Sequence, residues 1–251
     1  MSDWPTRQTR ATNIVLLGRE QIPKYNSPEF ISVCEKMGMN PEQTRLLLPP
    51  SDSTEDGFQE IIEFSCFAYQ ADGVLLNRRN QSVIVPTRDC LTIVLEDLLA
   101  NVVVIHAGRS SLWHNGSLSG CVGCCVTSVV QNAMTALMKN NPGHNPQEVS
   151  VHIIDGISAE HFKHDHPDAL EKVKHYSLLG KDEVFLDYEQ GQLDLVAAAK
   201  VVMARLGISE MNITNENHCT FKSEHLASKR ALDAGIAGNE GHNLTGVTRV
   251  R

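Results

Sequence analysis

At 251 residues, 41% of them hydrophobic and 21% charged, the chain has enough apolar residues for one large core or two small ones, which excludes a disordered or collagen-like polymer. Its 30 acidic residues outnumber 22 basic ones, so little basic surface is left to release counterions from a phosphate backbone, and nucleic acid is not an expected partner. No run approaches the roughly 18 consecutive apolar residues of a membrane helix, and Met1-Ser2-Asp3-Trp4-Pro5 lacks the basic patch and apolar stretch of a secretory signal, so the expected location is the cytoplasm.

In chain order, the first helix signal is Ser27 to Met37. Ser27 can cap, Pro28 suits the first turn, Glu29 meets the dipole and Gly38 follows the end. Cys34 shares the apolar stripe of Phe30, Val33 and Met37 and reads as core. From Phe58 to Val104 the pattern turns to short β-rich runs: Ile61 to Tyr69, Ser82 to Val85, Cys90 to Leu95 and Val102 to Ile105. The last is apolar on both alternating faces, as a strand covered on two sides requires.

A helical pattern through Val122 to Lys139 follows, ended by Asn141-Pro142-Gly143. Beyond it come a strand at Val149 to Ile154, a helix at Asp168 to Lys174 and a strand at Val184 to Leu186. The last signals are a helix at Leu193 to Leu206 and a strand near Met211 to Thr214. No repeat or linker interrupts residues 1–251. The expected class is α+β, a single domain of mixed sheet layers flanked by helices.

Asp89-Cys90 begins one predicted strand and His106 ends the next, so a short connection would bring thiol and imidazole to one sheet edge. There they could be two zinc ligands, a nucleophile with its base, or plain packing. His161, His164 and His166 lie in a charged run and read as solvated surface, while His152, in a strand, reads as the partner of a backbone group. Cys121, Cys124 and Cys125 look like half a zinc knuckle, but small residues packing at a helix start explain them more simply.

Four ordered segments add to this reading: Ala71-Asp72-Gly73, Asp89-Cys90-Leu91, His106-Ala107-Gly108 and, near the end, Cys219-Thr220 with Ser228-Lys229-Arg230 and Thr245-Gly246. Together they resemble the multicopper polyphenol oxidase, or laccase-domain, family from about residue 13 to the end. The resemblance implies a metal site of two histidines and a cysteine, usually holding zinc, with copper as the other candidate. It also implies purine nucleoside chemistry, namely phosphorolysis with free phosphate or deamination of adenosine. Cys90 and His106 match metal ligands and Asp89 the acidic neighbour that would orient one, while Arg109 and Arg230 are the candidate substrate-binding residues.

The departures are specific. Where the family has its first histidine this chain has Pro49-Pro50-Ser51-Asp52, and no histidine precedes His106, leaving Asp52 as the candidate third ligand. Arg109 stands one residue early, and Lys229 replaces a tyrosine. The expected function is therefore a metal-dependent nucleoside phosphorylase or deaminase of impaired activity. The alternatives are an inactive binding protein of the same fold and a metal-free Cys/His hydrolase.

Overall fold

A computed structural model describes residues 6–9, 11–50, 58–64, 69–115, 126–216 and 218–251. The chain opens with β1 (Thr6–Gln8) and β2 (Thr12–Glu20), an antiparallel pair. Helix α1 (Pro28–Lys36) starts where expected, with the Phe30 backbone N–H donating to the Ser27 side chain. The β-rich region becomes β3 (Thr44–Leu48), β4 (Ile61–Glu63), β5 (Tyr69–Gln70), β6 (Gly73–Leu76), β7 (Ser82–Thr87), β8 (Leu91–Glu96) and β9 (Val102–Ala107).

The short helix α2 (Arg109–Leu112) follows β9 directly, then β10 (His114–Asn115), β11 (Val126–Thr127) and helix α3 (Val129–Asn140). The predicted helix from Val122 is thus shorter: Ser128 caps it by accepting from the Val130 N–H, and residues 116–125 lie outside the described part. The remainder is β12 (Ser150–Ile154), α4 (Pro167–Glu171), α5 (Lys181–Val184), β13 (Phe185–Asp187), β14 (Gln192–Leu193), α6 (Leu195–Arg205), β15 (Ile213–Asn215), α7 (Lys229–Asp233) and β16 (His242–Arg249).

Among the described residues twelve strands build two six-stranded mixed sheets, ordered β1-β2-β16-β7-β3-β5 and β15-β12-β8-β9-β6-β4, while β10 with β11 and β13 with β14 form separate pairs. Period-2 alternation assigns each face. Val83 and Val85 of β7 meet Val74, Leu76, Val94, Val102 and Val104 of the second sheet, so the two sheets pack face to face. The residues between them point outward. Ile84 joins Leu46 and Leu244 against Phe30, Val33 and Cys34 of α1. Leu75, Ile93, Leu95, Val103 and Ile105 pack beneath Ala133, Met134 and Leu137 of α3 and Ala198, Ala199 and Val202 of α6.

The result is an α+β fold of helix, sheet, sheet and helix layers. Val102 to Ile105 is buried on both faces, as its unbroken apolar run predicted. Cys34 is fully buried in the α1 layer, where burial pushes its thiol pKa up to about 11. Among the described residues no helix is long and apolar enough to cross a membrane.

Candidate active site at three strand ends

Strands β8 and β9 are antiparallel neighbours, with Leu91 opposite Ala107 and Thr92 opposite His106. That register places Cys90, one residue before β8, beside the end of β9. Strand β6 lies on the other side of β9, with Gly73 opposite Ile105, so Asp72 arrives at the same end. Three side chains meet there because three consecutive strands of one sheet stop or start together.

His106 Nδ1 and Asp72 Oδ1 are 2.8 Å apart, and the Asp72 backbone oxygen accepts from the His106 N–H at 2.8 Å. The buried Asp72 therefore holds His106 twice, its carboxylate at Nδ1 of the ring and its backbone carbonyl at the main-chain N–H. The Cys90 side chain hydrogen-bonds the same imidazole. Burial alone would strip the ring of its proton, but the sulfur and the carboxylate outweigh it and lift the His106 pKa to about 10. Gly108 closes the arrangement: a Cβ placed there would stand 3.0 Å from His106 Cε1 and 3.1 Å from Cys90 Sγ. The glycine lets the backbone pass tightly over both groups.

The three groups open into a cleft of about 720 Å³. Its lining includes the apolar Leu48, Pro49, Pro50 and Phe58 and the basic Arg88, Arg109 and Arg230. Arg109 begins α2, and its carbonyl accepts from the Tyr176 hydroxyl at 2.6 Å. Arg230 lies in α7 with its guanidinium carbon 5.3 Å from the centroid of the Phe162 ring. Burial foremost, and then repulsion from Arg230, lower the Arg109 pKa. Neither arginine is paired with a carboxylate among the described residues, so the two guanidiniums leave positive charge directed at the cleft.

Asp89 holds a different place from the one the sequence suggested. Its carboxylate accepts from Thr220 Oγ1 at 2.9 Å and from the Arg230 backbone N–H at 3.0 Å. It anchors the carboxyl-terminal segment and so positions Arg230. The carboxylate on the imidazole is Asp72, which lies in the Ala71-Asp72-Gly73 motif and is not marked by it for a role at His106. Its signal was present, because an acidic residue directly before a strand that neighbours the His106 strand can reach the same edge.

The histidine run also departs from expectation. Only His166 is a solvated side chain; His161 stacks on Phe221 with ring centroids 4.1 Å apart. His164 is 1% exposed, with Nδ1 2.9 Å from the Gly191 carbonyl oxygen. Burial, with Arg109 and Arg230 as lesser causes, lowers its pKa to about 4. His152 is partnered through Nδ1 by the Thr214 hydroxyl at 2.7 Å. Cys121, Cys124 and Cys125 lie outside the described residues.

As metal donors, Cys90 offers sulfur and His106 offers Nε2, since Asp72 engages Nδ1. A protein zinc site takes three or four protein ligands, and a copper site likewise needs more than two. Among the described residues no group of three or more His, Cys, Asp or Glu side chains could hold a metal ion. Asp52 lies outside the described residues. The described donors do not fit zinc or copper. What they do fit is proton and anion chemistry: a protonated imidazole between a sulfur and a carboxylate, beside two unpaired guanidiniums.

Comparison with known proteins agrees with the motif series. No curated protein matches the sequence. Among solved structures, a hypothetical protein YfiH of Bacillus licheniformis aligns with a TM-score of 0.68 at 15% identity, covering 98% of this chain and 99% of its own. YlmD from Geobacillus stearothermophilus gives 0.69 at 15% identity over 96% and 93%. A Neisseria meningitidis protein, NMB0706, gives 0.69 at 16% identity over the whole of both chains, 100% and 100%. These likenesses establish the fold. The family itself comes from residues 51–246, which match the sequence model of the multi-copper polyphenol oxidoreductase laccase family, and this chain belongs to that family.

Proposed function

We propose that the cleft cleaves purine nucleosides with phosphate as the acceptor. The observation that carries the reading is that Arg109 and Arg230, which have no carboxylate partner among the described residues, share the cleft with a histidine whose pKa is lifted to about 10. The apolar lining of Leu48, Pro49, Pro50 and Phe58 offers a surface for the flat base, and about 720 Å³ accommodates a nucleoside with an anion beside it.

In this reading Arg109 and Arg230 bind phosphate and offset its charge. A phosphate oxygen forms the bond to the ribose anomeric carbon while the bond from that carbon to the purine nitrogen breaks. The electron pair leaves with the base, and the proton on His106 Nε2 goes to it, giving free purine and ribose 1-phosphate. Asp72 holds Nδ1, which leaves Nε2 to be shared between Cys90 and the departing base, and stabilises the imidazolium until transfer. The test is release of hypoxanthine from inosine, followed with and without phosphate. Phosphate-dependent release lost in His106→Gln supports the reading.

A second reading rests on one observation, that Cys90, His106 and Asp72 stand in the order nucleophile, base and orienting acid. A thiol hydrolase built this way would turn over esters without phosphate. It would also alkylate at Cys90 far faster than at Cys34, whose raised pKa makes it an internal control.

A further inference from the structure

A second cleft, of about 300 Å³, lies away from Cys90 and His106. It opens where two parallel strands end: β12 stops at Ile154 and β15 at Asn215. The helix that connects them, α6, starts at the same place, so its first turn forms one side. Clefts at the carboxyl ends of parallel strands, facing a helix amino terminus, are where open α/β arrangements hold ligands. Topology alone makes no site here, but Asp155 does more.

Asp155 follows β12 and lines this cleft with Ser158, Lys200, His218 and Cys219. Its side chain is 2% exposed, and one oxygen, Oδ1, lies 3.2 Å from His218 Nδ1. The other, Oδ2, is buried with no hydrogen-bond partner among the described residues. The residue also sits at φ +47°, in the left-handed region that side chains other than Asn and Asp rarely enter. A buried carboxylate oxygen without a donor is costly and is the kind of outlier that marks a ligand position. Burial foremost raises the Asp155 pKa to about 6, with His218 opposing and Glu216 adding to the rise. A positively charged donor would relieve that burden.

The same lining also carries a cation, beside the Asp194 carboxylate at the start of α6. Lys200 makes no ion pair among the described residues, and the first turn of the 11-residue helix α6 points its amide dipoles the same way. Asp194 caps only one of these amides, that of Ala197, at 2.9 Å. We infer that this cleft binds a small zwitterion of the amino-acid type, its ammonium group on Asp155 and its carboxylate toward Lys200 and the start of α6. The proposal is independent of the Cys90 and His106 chemistry.

The test titrates the full chain by calorimetry with glycine, L-alanine, L-serine and L-threonine. Methylammonium and acetate serve as probes carrying one pole each. Asp155→Asn keeps a residue that tolerates the left-handed backbone, and Lys200→Ala changes a helix surface position, so both variants should fold; circular dichroism checks this. The expected result is saturable binding of at least one amino acid, with both single-pole probes at least about tenfold weaker and each variant weakening binding about tenfold or more. The inference is overturned by no saturable binding of any of the four, by equal binding of a single-pole probe, or by binding that Asp155→Asn leaves unchanged.

Discussion

Asp72 sets the state of the centre at the level of single residues. With Nδ1 bound to the carboxylate at 2.8 Å, the ring has one orientation and a stabilised imidazolium. Asp72→Asn removes the charge and keeps the shape. His106 should then titrate clearly below about 10 in an NMR pH series, and turnover should fall by on the order of 100-fold, the low end of what a general acid contributes. Gly108→Ala probes the same spot sterically. Its backbone φ of −83° suits alanine, so the fold should persist. The new methyl would still press on His106 Cε1 and Cys90 Sγ, and alkylation of Cys90 and turnover should both drop. Cys90 and His106 were legible from sequence because strand-end positions can be read from apolar runs. The role of Asp72 was not, because which strand lies beside which is decided by long-range pairing.

Asp89 is the tie between elements. One carboxylate holds Thr220 and the first turn of α7, so Arg230 is placed by a residue next to Cys90. Asp89→Ala leaves the Arg230 amide and the buried Thr220 hydroxyl without their acceptor. It should cost about 2–4 kcal/mol in urea unfolding. The apparent KM for phosphate should rise more than that for inosine, because Arg230 loses its placement while the apolar lining for the base is untouched. Equal changes in both KM values would place Asp89 in general stability alone. Several elements were readable because they carry local signals: Ser27 and Pro28 start α1, and Val102 to Ile105 is a covered strand. β2 and β16 went unread, although they form the most extensive pairing of the first sheet. Thr12–Glu20 runs through Ile14 to Leu17 without alternation, and β16 holds Gly246 in its middle, so neither has a clean period of two. The predicted helix before Val129 failed for the opposite reason, since apolar spacing there outran the cap at Ser128.

For the whole molecule, the sequence implied mixed sheets and helices but not two sheets back to back with helices on both outer faces. That arrangement follows from both faces of β7, β8 and β9 being apolar, a feature that single-strand periodicity does not orient. The histidine run shows the same limit: its charged neighbours suggested solvent, yet the chain folds His164 inward onto the Gly191 carbonyl. This has a consequence for acid stability. His164 has a pKa of about 4 in the folded state against 6.5 for an ordinary histidine, so the unfolded chain binds the extra proton between those values. Its neutral form contributes fully above pH 6.5, and stability is lost as the pH falls toward 4, on the order of 3 kcal/mol in all. Asp155 works in the opposite sense, its raised pKa costing stability as the pH climbs through about 6, so the wild-type curve alone does not isolate either group. The difference between wild type and His164→Asn does. Denaturant titrations should show it shrinking by about that amount from pH 7 to pH 4, and a constant difference would mean His164 is not held neutral.

The most direct measurement of the central claim is purine release from inosine by the purified protein, recorded against phosphate concentration for the wild type and for Arg109→Ala and Arg230→Ala. The account predicts saturable, phosphate-dependent release that yields ribose 1-phosphate, with at least a tenfold higher phosphate KM in each arginine variant. Release independent of phosphate, or no release at any phosphate concentration, would contradict it.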